Sequence, residues 1–581
     1  MFALGKILTV VCGRLVLMLS LGLFLATGVS AVPPHPSLLE ARATAKAMGQ
    51  VLPDLPKTSE LHARGIDTPE DAFGLQAYAK SRPAGSLALG PFRVLAVLVD
   101  FSDHTAQVTG TFFDTLVFGA GSNTVRDYFD EISYAQIDLI TVNLPSALSW
   151  KRAPQTYAYY VDNQYGIGPY PQNSQRLAEN VVDAIDAQVD FSDYDNNNDG
   201  YVDLMVVIHA GTGAELSGST SDFWSHKWGI TPRLTGDGVY VSSYTVQPEF
   251  WITPRDMTIG VYCHELLHGF GLPDLYDTDS EPEFVSNGVG RWCVMAQGTW
   301  NGTGGNSPAH PCAWNRIRLG ITSPINVSVN VNNQSISSVN GGGSVFRLWT
   351  SGDASAEYFL VENRRQTGYD TYIPSSGLLI WHIDTAKVNN EDEWYPTVAG
   401  SHHYLVALEQ ADGLYELEHA NDQGDPADCW PGSLNRTSFD ALSSPNSNAY
   451  LTGGTFVAVT DISAAGPTMT ADLTVGIAAS VEEDGPILPD AFTLLQNYPN
   501  PFNPYTDIRF VMSNPGQVAL EVYDVLGRHV RTLFEGHAEA GESTFTWDAR
   551  TNDGQEAASG VYFYHLVTTA AAQTRKMVLI K

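Results

Sequence analysis

The stretch "HELLHGFGLPD" occupies His264–Asp274. An α-helix places residues i and i+4 on one face, so His264 and His268 can reach a single ion. Neutral imidazoles suit zinc, and Glu265 stands beside them, able to take a proton from an attacking water. Gly271 falls three residues after His268, where glycine can take a left-handed conformation, end the helix and turn the chain back. Pro273 stiffens the turn. Asp274 is then where the returning chain could meet the metal, and a carboxylate oxygen is an ordinary zinc ligand. Two imidazoles and one carboxylate leave a fourth position open, which is the catalytic arrangement rather than the closed structural one.

The surrounding chain sets bounds on this reading. At 581 residues it is too long for one core, and a content of 43% hydrophobic and 11% aromatic residues is that of folded domains. The N-terminus has the layout of a secretory signal over residues 1–31: Lys6 and Arg14 are basic, "LVLMLSLGLFLA" is a short apolar core, and "VSA" precedes Val32. Arg14 breaks the apolar run below spanning length, and no later stretch is apolar enough to cross a bilayer, so no transmembrane span is expected in the mature chain. The net charge of −33 becomes −35 when the two bases leave with the signal, which argues against nucleic-acid binding. Cys263, Cys293, Cys312 and Cys429 remain. Export permits a disulfide among them, but four cysteines in this length are not a disulfide framework.

Residues 32–90, rich in Ala, Pro and charge, are expected to be a propeptide. From 91 to 322, apolar strands such as Phe92–Phe101 and "YVDLMVVIHAG" alternate with helical stretches such as "NTVRDYFDEISYAQ" and "SQRLAENVVDAIDAQV". That alternation predicts an α/β catalytic domain. From 323 to 475, short alternating strands between Gly, Asn, Asp and Ser predict a β-rich accessory domain. Residues 476–490 read as a linker, and 491–581 as a further small β unit.

"DNNNDGYVD" begins at Asp195 and presents oxygen donors at Asp195, Asn197, Asp199 and Asp203, with Gly200 at the sharp turn. Alternating oxygens around a glycine suit calcium. The EF-hand position for Glu holds Val206, so a calcium loop outside that fold is expected.

"HELLHGFGLPD" resembles the metzincin signature with Asp in place of the third His. With "LYD" following, it is similar to the immune inhibitor A-like secreted metalloproteases. Metzincins carry a methionine turn beneath the zinc, and "GRWCVMAQGTWNG" offers Met295. Further stretches of the same likeness are "VLVDFSD", "DYDNNNDGYVDLMVVIHAG", "YFLVENRRQTGYD" and "GLLIWHID", so it spans residues 91–475. The resemblance implies a zinc endopeptidase acting on protein or peptide substrates, with His264, His268 and Asp274 on zinc, Glu265 as general base and Met295 as an unreactive floor. Tyr276 and Asp277 compete with Asp274 for the metal or its surroundings. A thermolysin-like third ligand would need a Glu well downstream, and Glu281 and Glu283 are too near. His209 could line a cleft or serve structure. His382 fits a core position, and His402 with His403 lacks companion ligands. The absence of a GxSxG elbow leaves Ser/His/Asp chemistry unsupported. The rival reading is a catalytically silent surface adhesin on the same scaffold.

Toward the C-terminus, "LLQNYPNPFNPYTDIRF" (Leu494–Phe510), "VYDVLGR", "GVYFY" and terminal "KMVLIK" resemble the sorting domain of the type IX secretion pathway, an Ig-like sandwich related to flagellar hook-cap modules. That likeness implies the type IX machinery as a partner. It places the protein outside the cell or on its surface, through the periplasm of a Gram-negative-type envelope. The expected fold is thus a metzincin-like α/β protease domain, an all-β domain and an Ig-like β-sandwich.

Overall fold

The computed structural model describes residues 32–48, 90–277, 286–391 and 403–476 apart from 452 and 453, most of 492–581, and isolated positions between 50 and 66. The expected signal, most of residues 49–89, the linker beyond 476, Glu281, Glu283 and His402 lie outside the described residues.

The apolar run at Phe92–Phe101 makes two strands, not one. It breaks at Val94 into β1 (Gly90–Arg93) and β2 (Leu95–Asp100). β1 pairs parallel with β3 (Ile137–Ile140), whereas β2 enters a five-stranded sheet. That sheet has the order β4-β2-β5-β7-β6, with β4 at Lys151–Arg152, β5 at Met205–His209, β6 at His226–Leu234 and β7 at Tyr240–Pro248. β2 is parallel to β4 and β5, β5 is parallel to β7, and only the edge strand β6 is antiparallel. Every residue of β2 and β5 is buried, which is why both read as unbroken apolar runs rather than alternating ones. The helix Val125–Ser133 starts where Thr124 Oγ1 accepts from the amide of Asp127 at 3.1 Å. Ser174–Ile185 starts where Asn173 Oδ1 accepts from that of Arg176 at 3.2 Å.

The second layer is built from β8 (Ile325–Val327), β9 (Val331–Ser337), β10 (Phe346–Leu348), β11 (Glu357–Arg364), β12 (Gly377–Asp384), β13 (Val406–Leu408), β14 (Ala458–Thr460) and β15 (Thr468–Thr474). One sheet runs β13-β12-β11-β10-β8 and a smaller one β14-β15-β9. Successive residues of a strand face opposite ways. Leu360, Leu379, Trp381 and Ile383 accordingly join the core of the α/β layer, while Phe359, Val361, Leu378 and Ile380 pack with Phe439, Val459, Met469 and Leu473. The larger sheet is therefore apolar on both faces, and the chain through Ala478 forms one compact unit. Residues 32–48 pack into the same unit. Val32 is buried, and the indoles of Trp224 and Trp300 donate to the carbonyls of Val32 (3.0 Å) and Pro33 (2.8 Å).

Residues 479–581 form a second compact unit. Its two sheets run β16-β17-β20 and β19-β18-β21-β22. The strands are β16 (Phe492–Leu494), β17 (Thr506–Met512), β18 (Gly516–Asp524), β19 (His529–Ala538), β20 (Gly541–Trp547), β21 (Gly560–Thr568) and β22 (Ala572–Leu579). β17 alternates strictly, with Ile508, Phe510 and Met512 buried against Leu520, Trp547, Tyr564 and Leu579. Among the described residues, no helix is long and apolar enough to cross a membrane.

Candidate metal centre

The helix Gly260–Gly269 is buried along nearly its whole length, including His264, Glu265 and His268. Cys263 is buried there as a small apolar residue. The helix ends in a Schellman turn: the amide of Leu272 donates to the carbonyl of Leu267 (3.1 Å) and that of Gly271 to His268 (2.9 Å). Gly271 sits at φ +84°, the left-handed region this turn requires. Arg318 Nε donates to the Gly271 carbonyl at 2.9 Å and holds the turn from outside.

The returning chain brings Asp274 to the two imidazoles. Asp274 Oδ1 lies 3.0 Å from His264 Nε2 and 3.6 Å from His268 Nε2, and the two Nε2 atoms are 3.1 Å apart. Each Nδ1 has a backbone carbonyl at 2.8 Å, Val294 for His264 and Leu272 for His268. A carbonyl only accepts, so each ring keeps its proton on Nδ1 and turns a lone pair on Nε2 toward the other and toward the carboxylate. Burial holds both rings neutral: it lowers His264 to about 4, and His268 falls well below its ordinary value, with His264 adding to the effect. Two lone pairs and a carboxylate oxygen converging in a buried place are a donor set for a cation, and the N, N, O composition fits zinc. Among the described residues, the His, Cys, Asp and Glu side chains gathered here are His264, His268 and Asp274; Asp277 is not with them. Tyr276 is buried nearby in sequence.

Met295 is fully buried, and its carbonyl accepts from the amide of Leu275 at 2.8 Å. The amide of Val289 in turn donates to the carbonyl of Leu275 at 2.9 Å. The segment 289–295 thus clasps the chain just beyond Asp274 while Val294 orients His264. Sequence reasoning missed Val294 and Leu272, because they act through carbonyls that every residue possesses. Cys293 Sγ accepts from the amides of Met295 (3.4 Å) and Cys312 (3.3 Å) and from Asn315 Nδ2 (3.4 Å). All four described cysteines are buried free thiols.

The Asp195 loop closes on itself. Asp195 accepts from the amides of Asp199 (3.0 Å) and Gly200 (2.9 Å), and Asn197 Nδ2 donates to Asp199 (3.0 Å) and Asp203 (3.2 Å). Gly200 has φ +90°. Burial pushes the Asp203 carboxyl up to about 7, with Asp199 and Asp195 contributing. The three aspartates do not bring carboxylate oxygens together as closely as the metal-centre trio does. His209 is buried and donates from Nδ1 to the Ala210 carbonyl at 3.0 Å. His382 lies between Glu409 and Glu357, each at 2.9 Å, and His403 lies 2.7 Å from Asp384.

Residues 92–319 match the immune inhibitor A peptidase M6 catalytic domain. Within this M6-type region lie the HExxH helix, Asp274 and the Met295 turn. The chain is 30% identical over 217 residues to immune inhibitor A of Bacillus thuringiensis subsp. alesti, covering 32% of this chain and 30% of that protein. It is 27% identical over 279 residues to the pre-pro-metalloprotease PrtV of Vibrio cholerae serotype O1 (strain M66-2), covering 38% and 29%. The chain thus spans under a third of the length of either relative. Residues 507–572 match the FlgD Ig-like domain. Dimeric latent PorU from Porphyromonas gingivalis is similar over 19% of this chain and 11% of its own at 19% identity, and the TM-score of 0.15 gives that likeness no weight.

Proposed function

We propose that the chain is a secreted zinc endopeptidase whose metal is held by His264, His268 and Asp274. The observation that carries this reading is the convergence of two unprotonated Nε2 atoms and one carboxylate oxygen on a single buried point. Zinc there supplies Lewis acidity toward the scissile carbonyl and the attacking water. Glu265, adjacent to His264 on the same helix, takes the proton of that water and later gives it to the leaving amine. The backbone carbonyls of Val294 and Leu272 hold the imidazoles in the tautomer that faces the metal. The edge strand β6 offers a rim along which an extended peptide can add as a further strand.

The remaining assignments follow the same reading. Residues 1–31 act as signal and 32–90 as propeptide; the name of the Vibrio relative, a pre-pro-metalloprotease, supports such a layout. The accessory layer covers 323–475, 476–490 links, and 491–581 serves as a type IX sorting domain, supported by its Ig-like match. Calcium at Asp195, Asn197, Asp199 and Asp203 is supported by the donor pattern and by the buried Asp203 carboxylate. The test is cleavage of a generic protein substrate by the purified zinc-loaded mature form beside its Glu265→Gln variant. Cleavage by the first alone supports the peptidase, and no cleavage by either favours the silent adhesin.

A further inference from the structure

After β13 the chain passes Asp412, Glu416, Asp422, Asp425 and Asp428. One carboxylate oxygen from each of Asp412, Asp425 and Asp428 lies within 4.8 Å of the other two, and the same holds for Glu416, Asp422 and Asp425. Acidic residues often gather on surfaces without consequence. Asp428 is not on the surface: it is 1% exposed. Its Oδ2 accepts from Trp292 Nε1 (3.0 Å) and from the amide of Asp425 (2.9 Å), which fixes the orientation of the carboxylate. Its Oδ1 is buried and accepts no hydrogen bond. A buried carboxylate oxygen without a donor, set among further carboxylates, lacks the positive charge that burial demands. Burial, with Asp422 and Asp412 adding, pushes the Asp428 carboxyl up to about 7; Asp412 is raised by burial and by Asp425 and Asp422, with Arg436 opposing.

We propose that Asp412, Asp425 and Asp428 form a site for a hard divalent cation of the calcium type, with Glu416 and Asp422 beside it, and that the bound ion stiffens the turn carrying Met295. An all-oxygen donor set selects such a cation over zinc, and two oxygens bound to one calcium can stand up to roughly 5 Å apart, as the three carboxylates do. The acidic loop is fastened to the turn along its length. The amide of Arg291 donates to the carbonyl of Gln423 (2.8 Å) and that of Asn287 to Leu417 (2.8 Å), while Asn287 Nδ2 donates to the carbonyl of Asp422. Trp292, bonded to Asp428, is two residues before Val294, whose carbonyl orients His264. Charge repulsion in an ion-free loop would therefore loosen the segment that positions a zinc ligand. Cation binding stands apart from the peptidase reading; the coupling to zinc rests on it.

The experiment uses the full secreted chain in calcium-depleted, zinc-replete buffer, titrated with calcium and separately with terbium. Calcium is expected to raise Tm by on the order of 5 °C. Terbium emission sensitised through tryptophan is expected, since Trp292 touches the site, and calcium should quench it by displacement. Asp425→Asn and Asp412→Asn should each lose at least half of the tryptophan-sensitised emission and part of the Tm shift, whereas Asp199→Ala, in the other loop, should keep the emission and remove only that loop's own share of the Tm shift. Equal shifts and emission in wild type and both Asn variants overturn the site. If those variants do not fold, wild-type emission that is absent or indifferent to calcium overturns it equally. Zinc content unchanged by calcium depletion overturns the coupling alone. A cation-binding protein that cleaves nothing counts against the peptidase reading and leaves the site standing.

Discussion

His264 and Val294 are joined by a 2.8 Å hydrogen bond from the imidazole Nδ1 to the backbone carbonyl, and that bond decides which nitrogen faces Asp274. Since the carbonyl belongs to the turn at Met295, the candidate metal centre draws its geometry from two segments about thirty residues apart in sequence.

The metal set separates from the proton carrier by mutation. Asp274→Asn keeps the shape and removes the charge, so zinc content and turnover should both fall at least about tenfold. Asp274→His should retain part of the metal, with a misplaced ion. Glu265→Gln should keep full zinc and lose turnover by about 10²–10⁴-fold if that residue moves protons as proposed. Metal analysis beside a peptidase assay reads all three. Full zinc and normal turnover in Asp274→Asn would shift the ligand role to Asp277 or Tyr276.

Gly271 holds a left-handed residue between His268 and Asp274. Gly271→Ala should cost about 1–2 kcal/mol in stability, the penalty of a Cβ in that region. Zinc affinity should fall as well, since the turn sets where Asp274 arrives. Gly341→Ala, with open space around the added Cβ, should stay within about 0.5 kcal/mol. Chemical denaturation and zinc titration of both variants test the contrast, and equal effects would rule out a special role for the turn.

His382 supplies a pH signature. Burial opposes its charge, but Glu357 and Glu409 outweigh burial and raise its pKa above the ordinary value. A raised folded-state pKa adds stability that is complete below about 6.5 and lost as pH climbs through the folded value. The wild type should therefore lose Tm from neutral toward alkaline pH more steeply than His382→Gln. The variant should itself be less stable at pH 6 by about 1–3 kcal/mol, having left the buried Glu409 and the half-buried Glu357 without their imidazole partner. Parallel melting slopes would refute the assignment.

Maturation has an optical reporter. Loss of residues 32–90 removes the carbonyls of Val32 and Pro33 from the indoles of Trp224 and Trp300. N-terminal sequencing of the active form should begin near Pro91, and tryptophan emission should shift to the red on cleavage. A fully active form that still begins at Val32 would contradict the propeptide assignment.

Export and catalysis should part at the linker. A chain ending at Asp490 should cleave substrate yet stay inside the envelope, whereas the full chain is released or displayed. Normal release of the shortened chain would remove the sorting role.

The sequence made the helix, its two histidines and the Gly271 turn legible, because each rests on local spacing and backbone preference. The α/β alternation was equally open to reading. The break at Val94 was hidden, since both halves of the run are buried and carry no alternation. The bearing of Asp412, Asp425 and Asp428 on one another was also hidden. Their spacing follows no helix or strand period, and only the tertiary fold, which buries Asp428 against the Trp292 indole, brings the scattered acids together. The separation of 323–475 from the preceding region was drawn from texture, and texture does not report what a sheet's second face touches.

That second face has a consequence for inheritance. A sheet with Leu360, Leu379 and Trp381 toward the α/β layer and Phe359, Leu378 and Ile380 toward its β neighbour has no weathered side. Recombination at residue 319, where the match to the peptidase M6 catalytic domain ends, would cut through a shared interior and leave raw apolar surface on both fragments. The peptidase-like region and its β companion are therefore expected to travel between genomes as one cassette, with free exchange confined to the module that follows Ala478.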